Sequence, residues 1–201
     1  MIVDLGTGDG RAALAAAEAN PKTLVLAIDP DAASMADSSR RAARSAKRGG
    51  RSNVLFVVAA AESPPDEVRG IADEVRILFP WGSLLRGVLG RESSVAAGVA
   101  AIAKPGASLT VLLSVTPRDR IEDLRELDGS AIADLSARFE CSGLDLRGAR
   151  PVSAAEVRAT RSTWGRRLLA GGKGRPIWRL DLVADAGHRR PPDGPQRRPA
   201  V

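Results

Sequence analysis

The sequence predicts an open α/β fold: a mostly parallel, seven-stranded sheet with helices on both faces. Three observations carry this. Short runs rich in Val, Ile and Leu (IVDLG, TLVLAID, NVLFVV, EVRILF, ASLTVLLSV) alternate with Ala-rich or charged stretches of helical length, the pattern of βαβ units around a sheet buried on both faces. A glycine-rich turn, DLGTGDGR, follows the first run and opens the first helical stretch. At 201 residues and 44% hydrophobic content, the chain suffices for one domain with a full core.

In chain order, the Ala-rich and charged patterns place helices at 11–19, 31–48, 83–103 with a break near Gly90, and 121–139. GLDLRGARPV and PIWRLDLVA then read as the last two strands, flanking a helical segment over 154–170. These elements form one domain over 1–185. The remainder, 186–201, containing GHRRPPDGPQRRPAV, is rich in Pro and Arg and is expected to be a disordered basic tail.

Composition narrows the chemistry. No run of eighteen or more apolar residues suggests a membrane span, and the opening Met1-Ile2-Val3-Asp4 lacks an export signal, so a cytoplasmic protein is expected. One cysteine, Cys141, and one histidine, His188 in the tail, argue against an internal disulfide, a His-based triad and a His/Cys metal site. The formal charge of +6 and pI near 10.6 suit a polyanionic partner.

The glycine turn places Gly6, Gly8 and Gly10 at a helix N-terminus, where backbone N–H groups are expected to be available to a ligand. Its spacing is G-x-G-x-G rather than the G-x-G-x-x-G of dinucleotide sites, and Asp4 and Asp9 occupy the place a pyrophosphate would need. Acid here favours a cationic ligand bearing an amine. Asp29, ending the second strand in AIDP, is positioned to accept from both hydroxyls of a ribose. S-adenosyl-L-methionine has those hydroxyls, an ammonium group and no phosphate. Glu62, in AAAESPP after the third strand, lies at the same sheet edge as a neighbour for the adenine amine.

FPWGSLLRG follows the fourth strand, on the edge where open α/β sheets bind ligands. Pro80 and Gly82 flank Trp81, the composition of a turn that presents the ring outward. Trp164, in RSTWGRRLLAGGKGR, is also followed by Gly and is surrounded by Arg161, Arg166, Arg167, Lys173 and Arg175. Aromatic rings among cations suit an unstacked base with its flanking phosphates; Trp178, in an alternating pattern, reads as core. Arg40, Arg41, Arg44, Lys47 and Arg48 fall on the predicted 31–48 helix with no acid among them, and 40, 44, 47 and 48 share a face. That face is expected to contact phosphates.

With DLGTGDGR, AAAES, FPWGSLLRG and STWGRRL together, the sequence resembles the aminoglycoside-resistance 16S rRNA adenine-N1 methyltransferases of the KamB and NpmA type, from Ile2 to about Ala184. The resemblance implies a class I, Rossmann-like methyltransferase that uses S-adenosyl-L-methionine to methylate N1 of a decoding-site adenine in the small ribosomal subunit. It implies cofactor contacts at Asp4, Gly6, Asp29, Ala61, Glu62, Leu78 and Ser83, to which the glycine loop adds Gly8. It also implies that Trp81 and Trp164 sandwich the flipped adenine with Ser162 beside it, and that Arg40, Arg41, Arg44, Arg167 and Lys173 contact rRNA. A monomer with no metal is expected. The family carries an N-terminal β-hairpin ahead of the first strand, which this sequence does not contain. Methylation of another RNA and non-catalytic rRNA binding are the alternatives.

Overall fold

The computed structural model describes residues 1–116, 127–171 and 176–185. The elements run β1 (Ile2–Leu5), α1 (Arg11–Ala19), β2 (Val25–Asp29), α2 (Ala32–Ala42), β3 (Val54–Val58), β4 (Ala72–Leu78), α3 (Gly82–Val88) and α4 (Ser93–Ile102). Then follow β5 (Ala103–Leu113), α5 (Gly129–Glu140), β6 (Leu144–Pro151), α6 (Ala154–Ala159), α7 (Thr163–Ala170) and β7 (Trp178–Ala184). The strands form one sheet in the order β3-β2-β1-β4-β5-β7-β6. The pairs from β3 across to β5 are parallel, and β7 runs antiparallel to both β5 and β6. The sheet is therefore mixed, with the reversal confined to β7. Strand order reverses direction between the neighbours β1 and β4, which opens a crevice at their carboxyl ends.

The period of two along each strand sends alternate residues to opposite faces. Val3 and Leu5 join Leu26, Ile28, Val75 and Ile77 under residues of α3, α4 and α5. Ile2, Val25, Ala27 and Val54 pack instead against Ala13, Leu14, Ala16 and Ala17 of α1. The alanines let α1 lie close to the sheet, and each large apolar side chain so buried contributes ~1.5–3 kcal/mol. A third cluster, Phe79, Leu112, Val157 and Ile177 with Leu168 and Leu169 against it, joins the end of β4 to α6 and α7. Trp178 packs against the first cluster, as its strand pattern implied.

Two predicted helices, over 31–48 and 154–170, are interrupted in the structure. The helix predicted over 31–48 ends at Ala42; Ala46–Arg48 form a separate 3-10 turn. Continuing it would stack Arg40 on Arg44 and Arg44 on Arg48, unfavourable like-charge pairs at i,i+4. The chain instead turns through Gly49 at φ 78, with Gly50 N–H donating to Ser45 O at 3.1 Å and Arg51 N–H to Ala42 O at 2.9 Å. Asn53 secures the return by donating its side-chain amide to the carbonyls of Ala17, Asn20 and Thr23 at 3.0, 3.1 and 3.0 Å.

Asp128 caps α5, its carboxylate accepting from Ala131 N–H at 2.9 Å; residues 121–126 of the helix predicted over 121–139 lie outside the described residues. The helix predicted over 154–170 breaks into α6 and α7 at Arg161, which adopts φ 59. Ser162 restarts it as N-cap, accepting from Gly165 N–H at 3.2 Å. The predicted tail lies outside the described residues.

Candidate functional site

The glycine loop leaves β1 and is tied directly to β2. Gly6 and Thr7 N–H both donate to Ile28 O, at 2.8 and 3.1 Å, and Gly8 N–H donates to the Asp29 carboxylate at 2.8 Å. Gly10 N–H donates to Thr7 O at 3.1 Å, and Arg11 N–H to Asp9 Oδ1 at 3.2 Å. This corrects the expectation that the loop offers its N–H groups to a ligand: these five are engaged within the protein, because the loop must satisfy its own backbone. An incoming phosphate would find carboxylates here instead of donors.

Glycine is required where the loop meets its neighbours. At Gly6, φ 72, a Cβ would overlap the Leu84 side chain of α3; at Gly10, φ 72, it would lie 2.5 Å from the Phe56 ring. At Gly8, φ 59, nothing lies within 4 Å of the Cβ position, so the loop has open space above its centre.

The acids around that space differ in environment. Asp4 is 2% exposed; burial pushes its carboxyl up to about 6, although the Thr7 hydroxyl, donating at 2.6 Å, and Arg76 oppose the rise. Asp29 is half-buried, its oxygens accepting from Gly8 and Asp31 N–H. Glu62 is exposed and Ala61 buried, with the Ala61 carbonyl pressed against Gly98 of α4, where a Cβ would overlap it. An acceptor set of carboxylates, with open space over Gly8, fits the ammonium and ribose hydroxyls of S-adenosyl-L-methionine.

Beside the loop, the end of β4 reverses sharply. Phe79 takes φ 58, a conformation rare outside glycine, and its N–H donates to Leu112 O at 2.6 Å. The Phe79 ring is driven into the third apolar cluster at 4% exposure, whereas Trp81 emerges at 78%. Gly82 supplies a second positive φ, 61. Leu78 and Ser83, half-buried, flank this turn.

The second tryptophan reaches the same edge from α7. Thr163 Oγ1 donates to Asp9 Oδ2 at 2.6 Å, and Gly165 packs on Phe79, where a Cβ would lie 2.7 Å from the ring. Trp164 is 45% exposed with the Arg167 guanidinium 5.9 Å from its ring centroid. Ser162 is buried, and its Oγ caps α7, so the residue assigned beside the target base also has a structural role. Thus the glycine loop, Asp29, Trp81, Ser162 and Trp164 are gathered through direct contacts between their loops.

Residues 1–182 match the family model described as NpmA, 16S rRNA (adenine(1408)-N(1))-methyltransferase. The chain belongs to this family. A 16S rRNA (adenine(1408)-N(1))-methyltransferase from Streptoalloteichus tenebrarius is 37% identical to it over 84% of this chain and 80% of that protein. One from Escherichia coli is 32% identical over 85% and 81%. Among solved structures, a W203A mutant of such an enzyme from Catenulisporales acidiphilia, with cosubstrate SAM, aligns with a TM-score of 0.84 at 35% identity, over 94% of this chain and 87% of that one. The methyltransferase KamB aligns with a TM-score of 0.84 at 34% identity, over 92% and 87%.

For a 16S rRNA methyltransferase, the basic surface differs from the sequence expectation. Because α2 ends at Ala42, Arg40 and Arg41 lie on its last turn while Arg44, Lys47 and Arg48 lie on the following turns, all exposed. They form a bent patch, not one helical face. Asp37, one turn earlier, pairs with Arg40. Arg166 donates to Thr163 Oγ1 at 3.2 Å, and Lys173 and Arg175 lie outside the described residues.

Four residues escaped the sequence reading: Thr7, Phe79, Thr163 and Gly165. Thr7 was detectable as the hydroxyl within the glycine loop. Phe79, Thr163 and Gly165 act through contacts between segments far apart in the chain.

Proposed function

We propose that this methyltransferase transfers a methyl group from S-adenosyl-L-methionine to N1 of a decoding-site adenine in 16S rRNA of the small ribosomal subunit, conferring aminoglycoside resistance. The observation that carries this reading is the carboxylate-lined glycine loop beside two exposed tryptophans whose turns contact each other through Phe79 and Gly165. When bound, the cosubstrate supplies an electrophilic methyl group and leaves as a neutral thioether. Adenine N1 carries its own lone pair, so attack needs no general base. The side chains have to hold the nitrogen in line with the methyl carbon, a matter of positioning.

Trp81 and Trp164 supply the aromatic faces on which the extruded base stacks. Extrusion takes a few kcal/mol, and stacking returns ~1–3 kcal/mol per base. Asp4 and Asp29 hold the cosubstrate's ammonium and ribose, Gly8 leaves room above the loop, and Ala61, Glu62, Leu78 and Ser83 complete the adenosine surroundings. Arg40, Arg41, Arg44, Lys47 and Arg48, with Arg166 and Arg167 beside the slot, neutralise backbone phosphates; Lys173 and Arg175 extend that set.

Primer extension on small subunits incubated with protein and S-adenosyl-L-methionine tests the reading, because N1 methylation blocks base pairing. A reverse-transcriptase stop at the decoding-site adenine is expected. A stop elsewhere in the RNA assigns another target, and methyl-donor binding without any stop refutes the substrate.

A further inference from the structure

Asp9 joins three elements that the chain brings together from distant positions. Its carbonyl accepts from the Ser38 hydroxyl of α2, its Oδ1 accepts from Arg11 N–H at the start of α1, and its Oδ2 accepts from Thr163 Oγ1 at 2.6 Å across 154 residues of sequence. Thr163 in turn accepts from Arg166. It is the first residue of α7, directly before Trp164 and after the Ser162 cap.

We propose that Asp9 and Thr163 are a positioning pair that couples occupancy of the glycine loop to the placement of the Trp164 wall. This rests on the reading of that loop as the cosubstrate site. Asp9 stands between Gly8 and Gly10, both in left-handed conformations, so a change in the loop is transmitted to its carboxylate. On the far side, Gly165 abuts the Phe79 ring, which leaves α7 little freedom to follow by sliding over β4. The hydroxyl of Thr163, accepting from Arg166 while donating to Asp9, bonds to a carboxylate and is therefore stronger and more directional than a neutral pair.

The coupling is reciprocal, as any linkage must be. Cosubstrate in the loop steadies Trp164, and a base stacked on Trp164 steadies the loop. Thr163 lies outside the glycine loop, on α7, and is not among the cosubstrate contacts, so loss of its hydroxyl is expected to lower kcat while leaving the affinity for the cosubstrate nearly unchanged.

Thr163→Val removes the hydroxyl at constant shape, and Thr163→Ser restores it. In single-turnover methylation of small subunits, Thr163→Val is expected to reduce kcat on the order of tenfold, and Thr163→Ser to recover most of it. The affinity for S-adenosyl-L-methionine by calorimetry should stay within about twofold. Asp9→Ala combined with Thr163→Val should be slower by less than the product of the two single effects, since the variants share the Asp9–Thr163 bond while each also loses a contact of its own, Asp9 with Arg11 and Thr163 with Arg166. Amide hydrogen exchange supplies a readout that does not depend on turnover. Cosubstrate is expected to slow exchange over 165–170 in the unaltered protein and in Thr163→Ser, and to have no effect there in Thr163→Val.

Unchanged kcat together with undiminished protection in Thr163→Val overturns the coupling while leaving the methyltransferase reading intact. Failure of the unaltered protein to bind the cosubstrate overturns the site reading on which the coupling rests.

Discussion

A Cβ at Gly165 would lie 2.7 Å from Cε2 of Phe79, 3.0 Å from its Cζ and 3.1 Å from Cγ1 of Val157. This contact locks the turn bearing Trp81 to the helix bearing Trp164, since Phe79 lies two residues before the first ring and Gly165 directly after the second. Overpacking here is expected to cost ~1–3 kcal/mol. Gly165→Val should therefore lower the urea midpoint and reduce methylation of small subunits. Phe79→Leu introduced with it should recover part of both losses, a non-additivity that identifies the contact as the cause. Equal losses in the single and double variants would place the effect elsewhere.

Read as a cosubstrate contact, the buried Asp4 is expected to make cosubstrate binding dependent on pH. Its folded pKa, about 6, is raised above the ordinary carboxylate value, so the fold favours the protonated form. The contribution of Asp4 to stability is full below the unfolded value and is lost as pH rises through 6. A ligand ammonium requires the opposite, charged form. Affinity for S-adenosyl-L-methionine is thus expected to be about tenfold weaker at pH 5 than at pH 7, with no comparable change in Asp4→Asn. Calorimetry at the two pH values decides it, and an unaltered protein with a flat profile contradicts the assignment.

The bent basic patch leads to a salt prediction. Arg44 is exposed on the turn between α2 and the Ala46–Arg48 3-10 turn, free of the α2 register. If it contacts one rRNA phosphate, Arg44→Ala should shallow the slope of log affinity against log salt by roughly 0.7–0.9. Cosubstrate affinity should be unaffected. Filter binding of small subunits across a salt series measures the slope; an unchanged slope removes Arg44 from the interface.

Elements whose cause is local could be read from the sequence. The strand runs, the glycine turn and the Pro80-Trp81-Gly82 turn each follow from composition within a few residues, and the strand order then brings the first two loops to one edge. The helix predicted over 31–48 failed because its pattern was judged by spacing alone; repulsion between Arg40, Arg44 and Arg48 and the return through Gly49 and Gly50 outweighed it. Three of the engaged N–H groups of the glycine loop, those of Gly6, Thr7 and Gly8, depend on Ile28 and Asp29, so they became visible only with β2 in place. Thr163 and Gly165 carry no local signal of their partners, since Asp9 and Phe79 lie far away in the chain. What the sequence could not supply was therefore the set of contacts that fasten one loop to another.

The role of the two tryptophans is tested most directly by splitting binding from turnover. Trp81→Ala and Trp164→Ala are each measured for S-adenosyl-L-methionine affinity by calorimetry and for methyl incorporation into small subunits. Loss of one stacking face predicts methylation slower by roughly 5- to 150-fold, the equivalent of ~1–3 kcal/mol, with cosubstrate affinity nearly unchanged. Methylation at the unaltered rate in both variants would contradict a slot built from Trp81 and Trp164.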